Sequence, residues 1–233
     1  MRTGKLTKIF LLICVAVLVS PIMLVSQNAE VSVSSKTIDN TDAQTAIKEL
    51  SKSLKAATTD AEKKDIYPLL GALQEQLGLY PEAQASYNSA AALTGLDNTE
   101  GQYFLLGAVR CALSHGDSAS ADFLLSTQIE QPLTVEISAK KKLYALWSWL
   151  AKSENQNDIQ AIIPVLKTYA TEKDMVSVQP VILLTLYKLT NEEEWSNLLN
   201  ANYPNSAEAA IVSGKAQLLP APFWYFILAK TDQ

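Results

Sequence analysis

The sequence predicts an all-α protein, an α-solenoid of about ten helices in antiparallel pairs, preceded by a hydrophobic N-terminal segment. Three observations carry that reading. Apolar residues recur at helical spacing through most of the chain after residue 40, with no convincing strand. Short turns marked by Gly, Pro or Asn separate the helical stretches, and short connections make successive helices antiparallel neighbours. A helix–turn–helix unit of about 34–40 residues then repeats. Composition agrees. At 48% hydrophobic and 18% charged, the chain is too apolar to be disordered. Eight Gly and nine Pro are few for an all-β chain with many tight turns. A net charge of −5 argues against general nucleic-acid binding.

Residues 1–29 hold Arg2, Lys5 and Lys8, no acid, and an apolar run from Ile9 to Val25. This is the layout of a signal peptide. The run of 17 is slightly short for a comfortable bilayer span and is interrupted by Pro21. The segment therefore reads as a signal cleaved near Ser26–Ala29, or as an N-terminal membrane anchor with its bases on the cytoplasmic side. Either way, the rest of the chain is expected outside the inner membrane, in a bacterial periplasm or envelope. It carries 16 bases against 24 acids, one cysteine (Cys111) and no N-x-S/T sequon. With no intrachain disulfide available, stability must come from an apolar core. Cys14 follows Ile13 and lacks the small-residue context of a lipid anchor.

Residues 30–40 are Ser-rich and read as a tether; the helical domain is expected over 41–233. Thr41 with Gln44 forms a plausible capping box, and Ile47, Leu50 and Leu54 make an apolar face. A second helix, 61–77, ends at Gly78. Pro81 opens the next, 81–93, at a position that tolerates proline. Thr94, Gly95 and Asn98 break it. Helices follow over about 99–114, 118–130, 134–152, 158–171, 175–189, 192–201 and 207–218, the last capped by Ser206. Met175–Val178 could pass for a strand, but its neighbours read as helical.

The stretch Tyr67–Leu93 resembles a tetratricopeptide repeat. Tyr67, Leu70-Gly71, Gly78, Tyr80, Ala83, Tyr87 and Ala90 fill the family's bulky, small and aromatic positions. A weaker copy starts at Tyr103, where Leu106-Gly107 follows Leu70-Gly71 by 36 residues and Ala121 takes the small position. YPNSAEAA at 203–210 also resembles a helix start found in exported members. After residue 133 only the helix-turn-helix form persists.

The resemblance implies a right-handed stack of helix pairs whose groove binds a partner protein segment. The lysine and asparagine positions of the family's carboxylate clamp hold Pro68, Ala72, Phe104 and Ala108, so that clamp is absent. The implied groove includes Ala72, Glu75, Gln76, Phe104, Ala108 and Cys111, a surface suited to a peptide with apolar anchors. The plainer alternative is that Phe104 and Cys111 pack against a neighbouring helix. Phe223, Trp224 and Phe226 lie in the apolar run Phe223–Leu228 near the C-terminus. They either cap the last helix pair or anchor a partner. Trp147 and Trp149 face different sides of one helix, and at least one should pack; Trp195 reads as core.

Catalysis finds little support. His115 is the lone histidine, and Ser114, His115 and Asp117 in one turn do not make a triad. Cys111 and His115, at i and i+4, supply two ligands where zinc needs three or four. No cofactor or metal is expected. Glu192–Glu194 suit a helix N-terminus, and Lys140–Lys142 suit a solvated face. The expected function is a non-enzymatic envelope scaffold or adaptor with a protein partner. The alternative is an exported small-molecule or lipid carrier associated with a transporter, with Phe104 and the aromatic tail lining its pocket.

Overall fold

A computed structural model describes residues 40–128, 131–153 and 156–217. The signal or anchor segment, most of the tether and the aromatic tail with Phe223, Trp224 and Phe226 lie outside the described residues. Among the described residues there are ten α-helices and no strand.

The first three helices are α1 (Asn40–Ala56), α2 (Asp60–Gln76) and α3 (Tyr80–Thr94). Helix α1 already includes Asn40. Thr41 is inside the helix, where its carbonyl accepts from Thr45 Oγ1 at 2.8 Å. A reciprocal capping box opens α2. Thr59 Oγ1 accepts from Glu62 N at 3.2 Å, and Glu62 Oε2 accepts from Thr59 N at 3.2 Å and Thr58 N at 2.8 Å. Those backbone donors hold the Glu62 carboxyl below its usual range. Thr59→Ala is expected to lower stability by ~1 kcal/mol, measured by urea denaturation.

Helix α2 ends as Gly78 predicts. Gly78 has φ +74, its N–H donates to Glu75 O and Leu79 N donates to Gln74 O. This pair of bonds is a Schellman motif. The chain turns and α3 begins, with Pro81 in its first turn. Helix α4 (Thr99–Ser114) is capped by Asn98, whose side chain accepts from Glu100 N at 2.8 Å. Gly101 lies in its first turn, where a Cβ would stand 1.9 Å from the Gly95 carbonyl oxygen. Gly116 closes α4 with φ +88 and the same double bond pattern as Gly78.

Helix α5 (Ser118–Phe123) is shorter than expected and passes into a π-helical turn, Leu124–Gln128. Leu124 and Leu125 remain buried there. Helices α6 (Val135–Lys152) and α7 (Gln156–Tyr169) follow. The ambiguous stretch is a 3-10 turn, Lys173–Val178, burying Met175 and Val178 ahead of α8 (Gln179–Thr190). Helices α9 (Glu193–Asn202) and α10 (Ala207–Val212) complete the described chain. Ser206 caps α10 as expected, its hydroxyl accepting from Ala209 N at 3.1 Å. The helix stops at Val212 rather than 218, because Gly214 at φ +70 turns the chain.

Packing runs chiefly between sequence neighbours, with α4 and α5 also meeting α6, and α10 folding back on α8. The buried residues form two clusters. The smaller joins α1 and α2 through Ala43, Leu50, Ile66, Leu70 and Leu73. The larger spans α3 to α10, from Tyr87 through Leu106, Trp147, Ile162 and Leu184 to Ala209.

Candidate partner-binding site

Two places in the fold bear on recognition. The first is the junction of α2, α3 and α4, where the tyrosine ring of Tyr87 lies between two glycines. A Cβ on Gly71 would come within 2.9 Å of the ring, and one on Gly107 within 3.1 Å. The two Leu-Gly pairs, 36 residues apart, thus serve one aromatic side chain. Ala83 on α3 is fully buried and Gln74 shares a 2.7 Å hydrogen bond with Ser86.

The Tyr87 hydroxyl donates to Glu75 Oε2 at 3.1 Å. Arg110 grips the same carboxylate in bidentate fashion, from Nε at 2.5 Å and Nη2 at 2.7 Å. This node joins α2 directly to α4. Burial and the Glu75 carboxylate push the Tyr80 hydroxyl up to about 12 and Tyr87 further still. The Cys111 thiol is raised by the same two causes. Tyr103 is likewise raised to about 12, by burial and by its bond to Glu136.

A tyrosine that stays protonated in the fold but ionises near 10 when unfolded stabilises the fold below pH 10. That contribution is lost as pH rises from about 10 to 12. Alkaline difference absorbance should therefore show Tyr80, Tyr87 and Tyr103 ionising only above pH 10, together with loss of helical circular dichroism. Their ionisation near pH 10 in the still-folded chain would contradict the burial described.

Of the groove residues expected from the sequence, Gln76 is exposed and Ala72 partly so. Phe104 is half-buried and packs on the larger core. Ala108 and Cys111 correct the expectation, since neither retains any exposed surface. Helix α4 is wrapped by α3, α5, the π turn and α6, so this part of its face is core. His115 caps α4 and its Nε2 lies 2.7 Å from Gln84 Oε1. Ser114 Oγ donates to its own helix at Arg110 O, and Asp117 caps α5 by accepting from Ser120 N. The three letters of the turn thus make separate bonds. Among the described residues no group of three His, Cys, Asp or Glu could hold a metal, and no helix is long and apolar enough to cross a membrane.

The second place is an open depression of about 460 Å³ beside α6, lined by Pro132, Lys141, Lys142, Trp149 and Tyr169 among others. The two neighbouring tryptophans divide as expected. Trp147 is buried and stacks on Tyr144 at 5.2 Å, whereas Trp149 is 43% exposed. The lysine run also divides. Lys140 bonds Glu136 at 2.6 Å and stands 4.7 Å over the Tyr103 ring. Lys142 lies 5.7 Å from the Tyr169 ring centre and 3.9 Å from the Glu172 carboxylate. Sequence reasoning took the lysines as an ordinary solvated face. The signal for this depression was there in the spacing of Lys142 and Trp149, two turns apart on one side of a helix. Trp195 is core, its Nε1 donating to Glu192 Oε2 at 2.8 Å.

An all-helical chain with surfaces of this kind belongs to a broad class, and the comparisons narrow it little. The model of one family, described as TP_0752_M, middle domain, matches residues 151–233. A protein of Treponema pallidum (strain Nichols), described only as uncharacterized, is 27% identical over 172 residues. That match covers 71% of this chain and 44% of the relative, so the chain spans less than half of that relative's length. No solved structure matches.

Proposed function

We propose that the chain is a non-catalytic scaffold of the bacterial cell envelope, a tetratricopeptide-like α-solenoid that binds a segment of a partner protein. The observation that carries this reading is the shared seat of Tyr87 between Gly71 and Gly107. Two Leu-Gly pairs one repeat length apart have no other evident reason to be small. They let α2 and α4 close on α3, as stacked helix pairs require. Ser114, His115 and Asp117 bond to Arg110 O, Gln84 Oε1 and Ser120 N respectively. Export rests on the basic and apolar pattern of residues 1–25.

The test is expression with the natural N-terminus in a bacterial host, followed by fractionation, intact mass and gentle crosslinking. A periplasmic form shortened by about 26–29 residues, or a full-length membrane form, fits the proposal. Either must also crosslink to a defined protein. A cytoplasmic chain with no protein partner contradicts it. A small molecule retained through native mass spectrometry, with no protein partner, would favour the carrier instead.

A further inference from the structure

Helix α6 carries a stripe that the described residues leave exposed at Val135, Ala145 and Trp149 and half-buried at Ser138 and Lys142. Val135, Ser138, Lys142, Ala145 and Trp149 recur at intervals of three and four residues. That is the spacing of the a and d positions of a heptad seam. Val135 is 60% and Trp149 43% exposed, and Ala145 is exposed between them. Over these 15 residues the stripe runs about 21 Å, some four helical turns. Small side chains at 138 and 145 leave room for large ones from outside, and the depression beside Trp149 offers a seat for one of them.

The charge of the site selects among occupants. The chain has 24 acids against 19 bases, yet Lys141 and Lys142 both line this depression. Glu172 is the carboxylate that answers Lys142, and at 3.9 Å it is beyond hydrogen-bond distance. Tyr169 supports the same lysine from its ring face.

We propose that this stripe docks an acidic amphipathic helix of a partner protein. Its apolar residues pack over Val135, Ala145 and Trp149, and its carboxylates reach Lys141 and Lys142. The proposal rests on the scaffold reading above and names the chemistry of the partner it holds. Helix-in-groove docking uses anchors at this spacing, and opposite charge at the rim fixes orientation.

The experiment uses two labelled 18-residue helical peptides with leucines at heptad a and d positions, one flanked by glutamates and one by lysines. Binding to the full chain is followed by fluorescence anisotropy. The acidic peptide should bind at least about tenfold more tightly than its basic twin. Lys141→Glu with Lys142→Glu should invert that preference. Trp149→Ala should weaken the acidic peptide about tenfold or more, while Val176→Ala, at another exposed apolar position, should not. All these positions are partly or fully exposed, and circular dichroism checks that each variant folds. Equal binding of the two peptides, or no response to the lysine reversals, overturns the proposal.

A photo-crosslinker at Ala145 in cells separates this idea from the scaffold reading. Capture of an acidic helical segment of another protein supports it. Capture of this chain's own residues 218–233, or of a second copy, overturns it. Partner capture from a crosslinker at Gln76 but not from Ala145 also overturns it, while leaving the scaffold reading standing. Capture at neither position, with neither peptide bound, removes both.

Discussion

Gly101→Ala is expected to destabilise the fold by about 3 kcal/mol, at the upper end of overpacking costs. For a chain of this size that lowers Tm by roughly 6–12 °C. The added Cβ would sit 1.9 Å from the Gly95 carbonyl oxygen and 2.9 Å from its carbon. These are backbone atoms, so no rotamer change relieves the contact. The loop 95–98 has to move away from the start of α4. Moving it strains the Asn98 cap and the Gln102 side chain, whose Nε2 donates to Leu96 O and Gln131 O at 3.0 Å each. Alanine's better helix propensity returns only about 1 kcal/mol. Thermal unfolding followed by circular dichroism reads the result, and an unchanged Tm would refute the close approach. Gly116→Ala provides the contrast. Nothing lies within 4 Å of its Cβ position, so only φ +88 opposes the change, and asparagine there should recover part of the loss.

Tyr87→Ala should cost about 3–5 kcal/mol, the range for removing a large buried aromatic. The ring is buried and touches two helices at once. Its removal leaves a space bounded by Gly71 and Gly107, neither of which has a side chain to fill it. The sharper expectation concerns coupling. In the natural chain, Gly71→Ala forces a Cβ to within 2.9–3.1 Å of three ring atoms and should destabilise by about 1–3 kcal/mol. Without the ring, the same alanine meets open space and gains helix propensity, so it should stabilise by up to about 1 kcal/mol. The sign of one substitution thus depends on the residue at position 87. A double-mutant cycle in urea measures this, and additive free energies would dismiss the clamp. If Tyr87→Ala does not fold, Tyr87→Leu provides a milder background with the same logic. Tyr87→Phe keeps the ring and loses only the hydroxyl bond to Glu75, at about 1 kcal/mol.

Helix boundaries were readable where a residue has a single local role. Gly78, Pro81 and Ser206 each act as the spacing suggests, and Asn98, read only as a helix breaker, also caps α4. Boundaries were missed where tertiary packing decides. The chain after Phe123 widens into a π turn that keeps Leu124 and Leu125 inside, a choice that no local pattern encodes. The end of α10 was within reach, because Gly214 makes the same motif as Gly78. The candidate site was legible in a similar, partial way. Position-by-position transfer from a repeat family assumes a groove of constant width. Here α6 packs on α4, and Ala108 and Cys111 pass into the interior. The Glu75–Arg110 bond was hidden for the opposite reason. It joins residues 35 apart, and only the fold brings them together.

The division of the buried side chains into two clusters has a consequence for how the molecule comes apart. Helices α1 and α2 share five buried apolar residues of their own. Beyond that cluster, α2 packs closely on α3, where the Tyr87 ring sits on Gly71 and Gln74 bonds Ser86, and it reaches α4 through the Glu75–Arg110 ion pair. Helix α1, which packs chiefly on α2, is therefore the element able to detach while the remainder keeps its fold. In the ladder of partial openings that native chains sample, this helix occupies a low rung.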